Sequence, residues 1–253
     1  MALSKRNQAA LRFWVGSIAV CLVCTAPSRG DTFSDFEAPT YSSNSTFIGV
    51  DGWFVLSGSV NRALVTPLVD ADTLIAWSIA LEGTQSAFLK SNWDGREWNG
   101  LESYVFDGLE ISWLVLLSKF GRQDFYLSPD VAGFNTPIGV VLEADGDIAR
   151  TTPNSGLVDS GENYNTNKVY RMTMLVNFTA GTVAFTSQNI TDAGAVLDLG
   201  TGSTGSITTN DYQVGGGVIM NERDGNPAFY DDIQVGNINI VPPPAQGTVM
   251  TIR

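Results

Sequence analysis

The chain is 253 residues long, carries 14 Lys and Arg against 26 Asp and Glu, has no histidine and bears a formal net charge of −12. This excludes Ser-His-Asp and Cys-His nucleophile systems and any His-ligated metal. A surface this acidic also repels phosphate backbones, so nucleic acid is not an expected partner.

The first 30 residues read as a secretory signal peptide. Lys5, Arg6 and Arg12 form a basic start, Trp14 to Ala26 an apolar run, and Ser28 and Gly30 a small-residue exit before Asp31. The apolar run, about 13 residues, is too short to cross a hydrocarbon layer of roughly 30 Å, so cleavage before Asp31 is expected to leave no membrane span. The mature chain would keep ten basic and all 26 acidic residues, a net charge of −16. Cys21 and Cys24 depart with the signal segment, leaving no disulfide. The expected location is extracellular, or periplasmic in a bacterial host.

The remaining chain reads as short strands punctuated by Gly, Asn, Asp and Pro. Ile75, Trp77, Ile79 and Leu81 make an inward apolar stripe. The segment Ser91 to Gly100 reads as a polar, Gly-containing loop bearing Trp93 and Trp98. Ile111 to Leu117 is apolar on both faces, the pattern of a central strand covered on both sides. In Ala144-Asp145-Gly146-Asp147 the Asp-Gly pair favours the positive φ of a tight hairpin turn. Between Val169 and Phe178, Tyr170, Met172, Met174, Val176 and Phe178 alternate with polar residues, which predicts a half-buried strand. Thr179-Ala180-Gly181 then turns the chain into a second strand with Val183 and Phe185 facing inward. Segment 200–217 is rich in Gly, Ser and Thr and reads as a loop before a strand at Val218 to Met220. Many short strands without intervening helices predict an all-β fold, a single jelly-roll β-sandwich of two antiparallel sheets over residues 31–241. Pro242, Pro243 and Pro244 end regular structure, so 242–253 is expected to be a disordered tail.

Three segments carry a family resemblance. They are Asp35-Phe36-Glu37 with Asp51-Gly52-Trp53 near the start, Asp147-Ile148 and Gly156 to Gly161 leading into Lys168 to Met174 in the middle, and Phe229 to Val235 near the end. Together they resemble the concanavalin A-like lectin/glucanase superfamily in its laminin-G-like form, with Phe33 to Glu37 expected beside Phe229 to Val235. Shorter galactose-binding-like jelly rolls share the Phe-Glu opening and the Asp-Asp closing strand, and they also imply a sandwich. This architecture hosts lectins, hydrolases, lyases and adhesion modules, so the resemblance addresses fold more than activity.

Candidate sites follow from residue chemistry. Glu143, Asp145 and Asp147 resemble the Glu-x-Asp-x-Glu run that glycoside hydrolases of this fold set along one strand, although Asp147 replaces the last Glu and Gly146 interrupts the strand. The absence of histidine counts against a lyase base. Glu37 and Asp232 could share a structural calcium, aided by Asp231 or by the polar turn Asn221 to Asn226. Trp93 and Trp98 among Asp94, Arg96 and Asn99 have the make-up of a sugar platform, the alternative being a small packed cluster under the loop. Three readings therefore stand: a non-enzymatic binder of a poly- or oligosaccharide or of a cell-surface component, a carboxylate-dependent glycoside hydrolase or lyase, and a structural protein without a small ligand.

Overall fold

The computed structural model describes residues 31–59, 62–70, 74–90, 92–97, 107–133, 138–208 and 216–238. The expected signal segment and tail lie outside this set, as do Trp98 and Asn99. Among the described residues no helix is long and apolar enough to cross a membrane. The first strands are β1 (Asp31–Ser34), β2 (Trp53–Ser57), β3 (Ala63–Val65), β4 (Leu68–Val69), β5 (Ala76–Trp77), β6 (Ala87–Leu89), β7 (Trp93–Glu97) and β8 (Gly108–Leu117). They are followed by β9 (Gln123–Ser128), β10 (Ile138–Leu142), β11 (Asp147–Thr152), β12 (Gly156–Asn163), β13 (Val169–Asn177), β14 (Thr182–Asn189), β15 (Val196–Ser203), β16 (Gly217–Glu222) and β17 (Ala228–Ile238).

Two antiparallel sheets face each other. One runs β15-β14-β13-β8-β17-β6-β3 with β1 added to β17, and the other runs β12-β11-β10-β9-β16-β7-β2. The expected sandwich is therefore present. β1 pairs Asp31 with Val235 and Ser34 with Ile233, so the two ends of the fold close on one another. β13 buries Tyr170, Met172, Met174 and Val176 and leaves the residues between them half-buried or exposed, as alternation requires.

The sheets are joined by aromatic packing. Trp113 of β8 stacks on Phe125 of β9 with ring centroids 3.9 Å apart and an 11° interplanar angle. Near β2, the rings of Phe36, Phe47 and Trp53 contact one another at 5.4 to 5.9 Å, filling the core around the opening segment. At the opposite margin, Arg150 of β11 donates from Nη1 to the Leu199 carbonyl of β15 at 2.8 Å and ties the sheets together. β12 and β15 each carry a register shift against their neighbours, the kind of bulge that discourages edge-to-edge pairing.

Two expectations need correction. The stripe at Ile75 to Leu81 is not a core strand. Only Ala76–Trp77 is extended, in a ribbon with β4, and Ile75 is 50% exposed. Trp77, Ile79 and Leu81 instead pack on Phe88 and Phe229, a cluster separate from the core between the sheets. Leu116 of β8 belongs to the same cluster, so this cover explains why β8 is apolar on both faces. Residues 200–203 of the expected loop form the end of β15, while 209–215 lie outside the described residues.

Candidate functional site

Strand register brings three connections to one end of the sandwich. Gln123 pairs with both Leu142 and Glu222, and Ala228 pairs with Leu117. The β8–β9 loop (118–122), the β10–β11 turn (143–146) and the β16–β17 loop (223–227) therefore emerge together. Tyr164, entering from the chain after β12, donates its hydroxyl proton to the Glu143 carbonyl at 2.7 Å and accepts from Gly121 N at 3.4 Å. Burial first, then Asp145, Asp224 and Glu143, push Tyr164 up to about 12, so it stays a neutral donor.

Buried polar groups set the loops. The Glu222 carboxylate, 1% exposed, accepts from the backbone N–H groups of Asp224, Gly225 and Asn226 at 2.7, 3.0 and 3.1 Å. Asp224 Oδ2 accepts from Arg122 N at 2.7 Å, and Asn226 Nδ2 donates to the Phe120 carbonyl at 2.9 Å. Asp124, fully buried, accepts from Arg122 Nε (3.0 Å), Arg223 Nε (2.9 Å) and Asn221 Nδ2 (2.6 Å). Burial opposes the charge on Arg122, but Asp124 outweighs it and raises the pKa of that guanidinium. Arg122 Nη1 also lies 3.8 Å from Glu143 Oε1. Over this base sits Phe120, 47% exposed, its ring 5.4 Å from that of Tyr164. Gly146 adopts φ +103°, which favours glycine, and a Cβ there would come within 3.1 Å of the Phe120 ring. The result is a half-exposed aromatic side chain on a set of loops that carry carboxylates and guanidiniums and are tied to one another by these bonds.

Glu143, Asp145 and Asp147 come together here as a turn. Glu143 N donates to the Asp147 carbonyl at 2.8 Å, and Asp145 Oδ1 accepts from Asp147 N at 3.2 Å. Asp147 Oδ1 also accepts from the Asn163 side chain. The hairpin reading of this segment is correct, and the three acids do not line one strand as the hydrolase pattern requires.

The loop reading of Ser91 to Gly100 is corrected over Trp93–Glu97. Trp93–Glu97 is β7, held between β2 and β16. Asp94 and Arg96 pair in register with Met220 and Val218, which lie in the core. Asp94 is fully buried and accepts from Asn92 Nδ2 at 2.8 and 3.0 Å. Burial raises Asp94 to about 7 against the opposing pull of Asn92. Arg96 is 6% exposed and pairs with Asp51 at 2.7 Å. Neither is presented to solvent, because directly paired residues share a sheet face and the partners Met220 and Val218 lie in the core. The Trp93 backbone pairs with Asn221 and Ser57.

Glu37 accepts from Thr84 N (2.6 Å), Thr84 Oγ1 (2.6 Å) and Gln85 N (2.8 Å). Burial would raise its pKa, and these three bonds hold it below the usual range. Asp232 pairs with Arg171 at 3.3 Å and accepts from Gln234 Nε2 at 2.7 Å. Both carboxylates are thus engaged by internal donors. Among the described residues no group of three or more His, Cys, Asp and Glu side chains is placed to hold a metal.

Sequence reasoning missed Phe120 and Arg122, and it named the Asn221 to Asn226 turn only as an aid to a calcium site. The available signal was Lys119-Phe120-Gly121-Arg122, a basic-flanked aromatic in a break between two apolar strands.

No family model and no curated protein matches the chain. Solved structures similar to it include lectin I-B4 from Griffonia simplicifolia in its metal-free form, at 8% identity and a TM-score of 0.46, over 82% of this chain and 98% of that one. A GH131 β-glucanase catalytic domain from Podospora anserina is similar at 10% identity and a TM-score of 0.44, over 74% and 84%. A sialidase is similar at 10% identity and a TM-score of 0.45 over 83% of this chain, which spans 19% of the sialidase. With every one of these scores below 0.5, the fold class rests on strand order and register, which define a jelly-roll β-sandwich with a built loop cluster at one end.

Proposed function

We propose that the protein is an exported, non-enzymatic β-sandwich that binds a glycan, free or on a cell surface, at the end bearing Phe120. The observation that carries this reading is the half-exposed Phe120 ring, which lies against Gly146 and Tyr164 at the end of the sandwich whose loops also carry Arg122, Glu143 and Asp224. An aromatic face in water is unfavourable unless covered, and the apolar C–H face of a pyranose covers it while its hydroxyls bond the rim. The rim is held in place before any ligand arrives, so little ordering entropy opposes binding.

Phe120→Ala is expected to lower glycan affinity at least tenfold while moving Tm by no more than about 3 °C, since a half-exposed side chain contributes little to stability. Binding on a glycan array that persists in this variant would contradict the site, and reducing-sugar release by the wild type would contradict the non-enzymatic reading. Export is tested separately. N-terminal sequencing of the exported protein is expected to begin at Asp31, and a sequence beginning at Met1 would overturn the signal assignment.

A further inference from the structure

We infer that Tyr164 is the positioning residue of the Phe120 end: its buried hydroxyl holds the Glu143–Gly146 turn against the β8–β9 loop in the arrangement that receives the glycan. This rests on the proposed binding reading and adds to it a residue that the ligand does not touch. Two of the three loops bond each other directly. Arg223 N donates to the Arg122 carbonyl at 3.2 Å, while Arg122 N and Asn226 Nδ2 donate to Asp224 and to the Phe120 carbonyl. The turn is joined to this pair differently. Its Glu143 carboxylate lies 3.8 Å from Arg122 Nη1, beyond hydrogen-bond length. The short bonds run through Tyr164. Its main-chain N donates to the Gly146 carbonyl at 2.8 Å, and its hydroxyl gives its one proton to the Glu143 carbonyl at 2.7 Å while standing 3.4 Å from Gly121 N.

The anchor is firm because it belongs to the core. Tyr164 is 2% exposed, packs in the cluster between the sheets, and carries its ring 5.4 Å from that of Phe120. Burial keeps the phenol protonated through the physiological range, so the donated bond persists across it. Phe120 is half-exposed and lies against Gly146 of the turn. The place of its ring therefore depends on the separation of turn and loop, which the hydroxyl sets from beneath. Without that hydroxyl the Glu143 carbonyl and the Gly121 N–H lose a partner and the two segments move more freely. A ligand must then order them on arrival, which lowers affinity without removing any contact it makes.

The test is Tyr164→Phe, which keeps the ring and removes only the hydroxyl, beside Phe120→Ala and a control, Val176→Ala. Val176 is buried in the core near the opposite end of β8, where it pairs with Leu109. Each variant is titrated with oligosaccharides that bind the wild type, and amide hydrogen exchange is followed in the ligand-free proteins. Tyr164→Phe is expected to weaken Phe120-dependent ligands at least about fivefold and to speed exchange at Gly121, Glu143 and Gly146. Val176→Ala is expected to lower Tm at least as much while changing affinity less than about twofold. Affinity within about twofold of wild type in Tyr164→Phe, with Phe120→Ala still deficient, would overturn the inference and leave the binding reading standing. So would unchanged exchange at Gly121 and Gly146, or an equal loss of affinity in Val176→Ala, since binding would then follow overall stability. Ligands indifferent to Phe120, or none that bind, would overturn both.

Discussion

Trp113→Ala is expected to destabilise the protein by about 3–5 kcal/mol, the usual cost of truncating a buried tryptophan. For a domain of this size that is a fall of about 6–20 °C in Tm. Trp113 is 2% exposed, and its ring lies flat on Phe125 across the gap between the sheets, so its loss removes both burial and the contact that sets their spacing. Small flanking residues that might close the gap are not at hand. Val115, Val140 and Met172 surround it, and each is held by strand pairing on both sides. A melt displaced by less than about 2 °C would contradict the inter-sheet role. The comparison with Phe120→Ala is informative, because two aromatic truncations only a few residues apart in sequence are expected to separate stability from binding.

Stability is expected to fall as pH rises from 5 to 8, the reverse of the usual behaviour of carboxylates. Burial raises Asp94 to about 7. Asp231 reaches about 8, again chiefly through burial, with Glu37 and Asp232 adding repulsion against the bonds donated by Glu82 N and Asp232 N. Between the ordinary aspartate value and these raised values the folded chain holds protons that the unfolded chain has released, so each pH unit in that window costs about 1.4 kcal/mol per group. The stabilisation is complete below the unfolded value and lost as pH climbs through the folded one. Glu37, whose pKa is lowered, acts oppositely and only at acid pH, where its stabilisation disappears as pH falls. Tm measured at pH 5, 6, 7 and 8 is expected to decline steadily, by about 10 °C or more in all. Asp94→Asn should flatten the slope below pH 7, and Asp231→Asn should flatten it up to pH 8. A Tm that rises across this range would contradict the burial of both acids.

What could be read from the sequence follows from how far apart the relevant residues lie. The Val169–Asn177 strand, the turn at Glu143 to Gly146 and the two-faced β8 depend on periods of a few residues, so their patterns identified them. The closure of β1 on β17 came from a resemblance at the two ends of the fold. β7 was misread because Trp93, Asp94, Gly95, Arg96 and Glu97 carry loop composition, whereas their strand state is imposed by Asn221, Ile219 and Val218 far along the chain. The Ile75 to Leu81 stripe was read correctly as apolar and assigned to the wrong surface, since a sandwich has outer faces that can also be covered. The site was least legible. Phe120, Glu143 and Asp224 come from three separate loops, and only the pairing of Gln123 with both Leu142 and Glu222 puts them at one end.

The central claim is that a glycan meets the protein at this end, and backbone amide shifts on titrating a glycan hit into isotope-labelled protein test it most directly. The account predicts shifts concentrated at Phe120 to Arg122, Glu143 to Gly146 and Asp224 to Asn226, with β7 and the outer surface around Phe88 and Phe229 unmoved. Shifts confined to β7, or to the cover at Trp77 to Leu81, with none at Phe120 or Gly146, would contradict it.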